Sequence, residues 1–261
     1  MSAQTTPRAA TGSGAAAAVR RADGWPPAGR VPAGGRLVGV PRHRLRYRRK
    51  RALDLALGVP LLVLAAPLIG LLAIAIRCLD GRPVLFRQVR LTAGGVPFEL
   101  LKLRTVAPDP DADVRWTAPP GSVTRLGAAL RRSHLDELPQ LVNVLRGEMS
   151  LVGPRPERPH FAELFTGSVP GYPGRFRMPA GITGTAQLRG LCGDTPLIAR
   201  AVADNDYIER WTLRRDLRIL AATAALAAIG CAAAMLAIGR ATAVAVRRAA
   251  AATRGAERPW R

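Results

Sequence analysis

The 261-residue chain is sparing with several residue types, and each scarcity excludes something. Three cysteines, Cys78, Cys192 and Cys231, form no C-x-x-C pair, and their odd count rules out a disulfide framework and a cysteine zinc site. A reducing compartment fits. Three histidines, His43, His134 and His160, are too scattered to form a ligand set, and His134 reads as a helix-end packing residue. No tandem repeat is present, and no secretory signal either, because the early alanine run is interrupted by Arg20, Arg21 and Asp23. Acids are also few: 18 Asp plus Glu face 39 Lys plus Arg, a formal charge of +21.

What is abundant is basic charge and apolar surface together. With 48% hydrophobic residues and a mean hydropathy of +0.08, the chain is too apolar for a disordered basic tail protein. Such a balance points to an anionic partner surface, either nucleic acid or membrane headgroups. The excess is uneven, because residues 1–51 hold 12 of the basic residues and one acid. Within that stretch, residues 1–41 are Ala, Gly, Pro, Ser and Thr with scattered Arg and read as a disordered leader.

Arg42 to Arg51 then packs seven basic residues into ten positions and runs into Leu55–Ile76, twenty-two residues without a charge. A helix of that length measures roughly 33 Å, enough for a bilayer core. It carries Pro60 and, in its middle, Pro67, where a missing amide bends a helix. Basic residues follow as well as precede it, at Arg77, Arg82, Arg87 and Arg90. A straight span would leave one basic flank outside, whereas a re-entrant hairpin broken at Ala66-Pro67 keeps both on the cytoplasmic face. The pattern leaves both readings open. Because the Arg42–Arg51 cluster abuts this segment, its partner is anionic lipid and not nucleic acid; Asp54 is expected to pair with Lys50 and Arg51.

After it, residues 83–105 read as a β-hairpin turning at Ala93-Gly94-Gly95, and Val106–Thr124 as a loop rich in Pro and Asp. Arg125–Leu145 has helical spacing ending at Gly147; Leu151–Pro159 is extended; Phe161–Phe165 is a short helix; Pro179–Gly190 is a Gly-rich loop; Asp204–Leu220 is one helix. Ile219–Ile238 is a second uncharged stretch, about half alanine, that suits either a surface helix, a hairpin partner or a weak span.

The chemistry concentrates in RRSHLDELPQL, residues 131–141. Adjacent Asp136 and Glu137 repel and call for a metal or an arginine beside them. In MSLVGPRPERP, prolines on both sides of Arg155 stiffen the backbone and aim a guanidinium suited to phosphate. In FELLKLRT, Lys102 and Arg104 fall on one face of a β-run, and Lys102 is one of two lysines in the chain. Gly181 and Gly184, near Arg189, allow close approach of backbone to a ligand. Carboxylates and fixed cations beside a membrane suit transfer of a phosphoryl group between a soluble donor and a lipid.

The strings KRALDLALGVPLLVLAAPL, LLKLRT, LRRSHLDELPQLVNVLRGEMSLVGPRP, PAGITGTAQLRG and DNDYIERWTLRRDLRIL, in this order over residues 49–222, closely resemble the bacterial sugar transferase family, monotopic polyprenyl-phosphate phosphoglycosyl transferases. The resemblance implies that Asp136 attacks the β-phosphate of a nucleoside diphosphate sugar, a UDP-sugar by expectation. The resulting aspartyl phosphosugar then passes to undecaprenyl phosphate, the first step of exopolysaccharide or other lipid-linked glycan assembly. It implies Glu137 as a ligand of Mg²⁺, and Lys102, Arg104, Arg131, Arg155 and Asp204 as substrate or phosphate contacts. It also favours the hairpin broken at Pro67, although Ala66 replaces the small hydroxyl residue usual before that proline and Thr185 replaces a bulky residue.

The resulting expectation is a mostly helical α+β monotopic protein on the cytoplasmic face of a bacterial cell membrane. It would comprise a leader (1–41), a basic flank with a re-entrant helix-break-helix (42–80), a small cytoplasmic catalytic domain (81–222) and an alanine-rich membrane-associated helix with a basic tail (223–261). The rival is a non-enzymatic basic membrane scaffold, which accounts for the charge but not for the ordered motifs. Which sugar and nucleotide are used, and whether the chain forms a homodimer, are open at this stage.

Overall fold

The computed structural model describes residues 44–193 and 195–228. The expected leader, most of the alanine-rich stretch and the basic tail therefore lie outside the described residues. The described part is mostly helical α+β, with a long apolar helix and two small two-stranded sheets.

Helix α1 spans Arg44–Leu79, 36 residues, with Pro60 and Pro67 inside it. The helical assignment is unbroken through both prolines, so Pro67 leaves no gap in the helix where the sequence suggested a break. A proline removes one amide, and the turns around it supply the rest. Helix α1 is mostly exposed, with partly buried side chains on one stripe packed toward the rest of the chain. Leu57, Leu62 and Ala65 pack on the cluster around Leu141, Val144 and Leu151, while Ile69, Leu72 and Ile76 pack with Leu103 and Leu130. The opposite stripe exposes Val59, Val63, Leu64, Leu71 and Ile74. At the basic end, Lys50 and Arg51 turn inward. Arg51 donates to the carbonyls of Val144 and Leu145, and Lys50 pairs with Asp216 at 2.8 Å. Asp54 does not pair with its helical neighbours as expected, because its carboxylate accepts from Ser150 Oγ and Leu151 N, both at 2.9 Å. Burial against a strand end offers it fixed donors, which a surface ion pair cannot match.

Strands β1 (Leu85–Leu91) and β2 (Pro97–Leu103) form the expected antiparallel hairpin, turning where Gly94 and Gly95 adopt left-handed φ of 71° and 73°. Phe86 lies opposite Lys102 and Gln88 opposite Leu100, and the alternation puts Phe86, Gln88, Arg90 and Lys102 on one face. A loop, residues 106–124, follows, as expected.

Arg125–Leu145 is not the single helix its periodicity suggested. Helix α2 (Arg125–Ser133) stops at His134, which sits in the left-handed region at φ 56° and caps it. A 3₁₀ turn, Leu135–Glu137, follows, and α3 (Gln140–Arg146) restarts after Pro139 and ends at Gly147. His134 thus acts at a helix end, as its sequence suggested. Parallel strands β3 (Ser150–Val152) and β4 (Gly181–Thr183) flank α4 (Pro159–Ser168), and α5 (Thr185–Leu188) and α6 (Leu197–Glu209) follow. Helix α7, 213–228, is separate from α6, correcting the single helix expected over Asp204–Leu220. Buried Trp211 occupies the break, and Thr212 Oγ1 accepts from Arg215 N to start α7.

Candidate active site

The turn between α2 and α3 puts Asp136 and Glu137 at the floor of an open cleft of about 480 Å³. Its lining includes Lys102, Arg131, Asp136, Glu137, Arg155 and Arg158, and the loop 106–119 forms its far wall. A cleft of that size suits a small-molecule substrate.

Three features of local structure aim these groups. Lys102, at the end of the β2 face that also carries Phe98 and Leu100, reaches Glu137 Oε1 at 2.6 Å. Arg155 Nη2 reaches the same oxygen at 3.0 Å from the loop after β3. Helix α2 lies so close to the end of β2 that a Cβ at Gly127 would stand 2.1 Å from the Thr105 carbonyl oxygen; only glycine fits. That approach lets Arg131, one turn on, donate Nε to Thr105 Oγ1 at 2.8 Å and leaves its terminal nitrogens for the cleft.

The two carboxylates therefore differ. Burial pushes Glu137 up, but Arg155 and Lys102, with the hydrogen bonds both donate, more than reverse this and hold it well below the usual carboxylate range. Asp136, buried at 6% exposure, has no side-chain partner among the described residues. Burial raises its pKa above the ordinary value against the pull of Lys102, with Glu137 adding to the rise and Arg131 opposing it. The cation that the adjacent carboxylates require is thus supplied by Lys102 and Arg155. Burial lowers Lys102 below a free lysine, and Glu137 partly restores it.

Two predicted site residues are placed elsewhere. Arg104 lies beyond the end of β2, where alternation no longer governs direction. Its guanidinium is spent on the carbonyls of Asp80 at 2.6 Å, Gly81 at 3.1 Å and Pro83 at 2.5 Å, which tie down the chain leaving α1. Asp204 is also kept from the cleft: it is 1% exposed and bonded to Arg175 Nε at 2.8 Å. Gly181 and Gly184 serve backbone packing and not ligand approach, since a Cβ on either would meet the Gly153 main chain at 2.0 and 2.2 Å.

One organiser escaped the sequence reading. Arg158, 7% exposed, donates to the carbonyls of Ala112, Arg115 and Trp116 and stacks 4.2 Å over Phe161, so it shapes the far wall of the cleft. Its place in the same proline-rich run as Arg155 was the available signal.

Among the described residues no group of three or more His, Cys, Asp or Glu could hold a metal by itself. Mg²⁺, however, is held through one or two carboxylates completed by substrate phosphates and water. Glu137 keeps Oε2 free of protein donors among the described residues, and Asp136 adjoins it, so the donor set fits that mode.

A sequence profile described as bacterial sugar transferase matches residues 45–229. The chain is 46% identical over 181 residues to the UDP-glucose:undecaprenyl-phosphate glucose-1-phosphate transferase of Caulobacter vibrioides, covering 67% of this chain and 68% of that protein. It is 36% identical over 190 residues to the enzyme of the same name from Escherichia coli, covering 70% of this chain but 41% of that longer protein. It is also 38% identical over 185 residues to the exopolysaccharide production protein PSS of Rhizobium leguminosarum bv. phaseoli, covering 67% and 92%.

Proposed function

The chain belongs to the bacterial sugar transferase family, and from that membership we propose that it transfers a hexose 1-phosphate from a UDP-sugar to undecaprenyl phosphate, through a phosphosugar carried on Asp136. UDP-glucose is the donor to test first, since that is the substrate in the names of the Caulobacter and Escherichia relatives. The lipid-linked sugar then opens exopolysaccharide or related glycan assembly, in line with the relative from Rhizobium.

The observation that carries the reading is the division of labour between neighbours. Glu137 is held by Lys102 and Arg155, while the Asp136 carboxylate next to it has no side-chain hydrogen-bond partner among the described residues and lines a cationic cleft. An Asp136 oxygen attacks the β-phosphorus, the bond to the UMP oxygen breaks, and UMP leaves with the electron pair. An oxygen of undecaprenyl phosphate then attacks the same phosphorus and the aspartyl C–O–P linkage breaks at the P–O bond, restoring the carboxylate. Lys102, Arg131 and Arg155 hold the phosphate oxygens in flight, and arginine's planar fork suits this better than an ammonium. Glu137 would hold Mg²⁺, which when bound neutralises diphosphate charge.

For the membrane we propose that α1, residues 42–80 with its flank, dips into the cytoplasmic leaflet, bends at Pro67 and returns, while residues 81–222 stand on the cytoplasmic face. Contacts at both ends of α1 support this. Lys50 and Asp54 at one end, and Ile76 and Asp80 at the other, are seated on the same catalytic unit, with an apolar stripe left facing outward between them.

The test uses purified protein in detergent with undecaprenyl phosphate, Mg²⁺ and UDP-glucose. UMP release is expected, and Asp136→Asn should lower it by about 10⁴-fold or more, as loss of a covalent nucleophile does. Normal release by that variant removes Asp136 as nucleophile, and silence of the unaltered chain across a panel of nucleotide sugars leaves the scaffold reading in its place.

A further inference from the structure

The loop that carries Arg155 is fastened at four successive carbonyls. Pro154 O accepts from Gly181 N at 2.8 Å, Arg155 O from Arg175 Nη2 at 3.1 Å, Pro156 O from Arg90 Nη1 at 3.1 Å, and Glu157 O from Leu91 N at 2.8 Å. Two of the donors are neighbouring strands. The other two are arginines, and Arg175 lies outside the lining of the cleft.

Arg175 is itself fixed. Its Nε is bonded to Asp204 Oδ2 at 2.8 Å with both side chains 2% exposed, and its guanidinium lies 4.8 Å over Tyr172, whose hydroxyl donates to Glu157 at 3.2 Å. Burying two charges costs solvation that their attraction only partly offsets, so a buried ion pair is a poor device for stability alone. What this pair does accomplish is to present one rigid donor to the carbonyl of the residue whose side chain grips Glu137.

We infer that Arg175 and Asp204 are positioning residues for the reaction: Asp204 orients Arg175, and Arg175 holds the Arg155 main chain so that its guanidinium meets Glu137 and the donor diphosphate. The Arg155 side chain is 38% exposed and long, so its reach to Glu137 at 3.0 Å depends on where the backbone beneath it is held. A displacement of about 1 Å in such a group is enough to cost activity. Asp204, which the resemblance implies as a substrate or phosphate contact, then acts through Arg175 instead, since it lies outside the lining of the cleft.

This inference rests on the proposed transferase activity, and the experiment separates the two. Arg175→Lys and Asp204→Asn are each made in the natural chain and in an Arg155→Ala background, and UMP release is followed with radiolabelled UDP-glucose so that slow variants stay measurable. Either change should lower kcat/KM by about tenfold in the natural background and by less than about twofold once Arg155 is gone, the non-additivity of residues acting through one another. Equal losses in both backgrounds, or none in the first, overturn the inference. Amide exchange decides it without turnover. Asp204→Asn should speed exchange at Gly153 and Arg158, whose amides bond Thr183 O and Glu157 Oε1, and leave α3 unchanged. Unaltered exchange in that loop also overturns it, whereas inactivity of the natural chain with altered exchange sinks only the transferase reading.

Discussion

The chain has two lysines, and they sit in ion pairs of opposite character. Lys50 meets Asp216 at 2.8 Å with side chains 2% and 1% exposed. Every strong acceptor there is used: Tyr207 donates to one Asp216 oxygen at 2.6 Å and Trp211 Nε1 to the other at 2.9 Å. Lys102 meets Glu137 in an open cleft, in company with Arg155, and beside it Asp136 stays without a side-chain partner among the described residues. A closed network in which both Asp216 oxygens are taken ties α1 to α6 and α7. An open one with unspent donors beside a second carboxylate is what the proposed phosphate chemistry calls for. Saturation, more than charge, separates the lock from the site.

Breaking the closed network should have the largest effect. Lys50→Met leaves Asp216 buried and short of a counter-ion, which costs about 3–5 kcal/mol, toward the lower end because Tyr207 and Trp211 still donate. In a thermal melt of the detergent-solubilised protein this is a fall of roughly 6–15 °C. Turnover per folded molecule should stay near normal below the new transition. A large kcat loss with an unchanged melt would reverse the roles of the two lysines.

Lys102→Met should do the opposite, lowering turnover by roughly 10–100-fold, the range of one lost electrostatic donor, with little change in the melt. It should also move the pH profile. In the proposed mechanism Asp136 attacks in its ionised form, its carboxyl is raised by burial, and Lys102 pulls it down. Without Lys102 the carboxyl stays protonated to higher pH, so the acidic limb of kcat shifts alkaline. Any alkaline limb due to Lys102, which burial lowers below a free lysine, should disappear. An acidic limb that stays in place would detach Lys102 from Asp136.

This contrast also explains how much could be read beforehand. The hairpin, the 106–124 loop, the end of α3 at Gly147 and the grouping of Asp136, Glu137, Lys102, Arg131 and Arg155 were legible, because turn glycines, alternation and adjacent carboxylates each act over a few residues. Arg104 was misplaced because alternation holds only inside a strand, and β2 ends at Leu103. The interruption at His134 escaped a periodic reading, since the same leucine spacing fits two helices joined by a left-handed residue. Arg90 and Arg175 could not be picked out, because which arginines turn inward to main-chain carbonyls is decided by tertiary packing and leaves no local mark. Lys50 and Asp54 were read as a surface feature for the same reason.

The smallest effect sets the floor of the comparison. Arg87 and Glu99 form a third pair, at 2.9 Å, but their side chains are 62% and 47% exposed on the outer face of the hairpin. Water solvates both partners as well as they solvate each other, and holding two long side chains together costs rotamer entropy, so such a pair contributes about 0.2–1 kcal/mol at most. Glu99→Gln keeps the shape and should move the melt by no more than about 4 °C, with turnover unchanged and the small shift fading in high salt. The distance is nearly that of Lys50 to Asp216, so a shift matching that of Lys50→Met would mean that separation, and not enclosure and saturation, sets what an ion pair is worth in this fold.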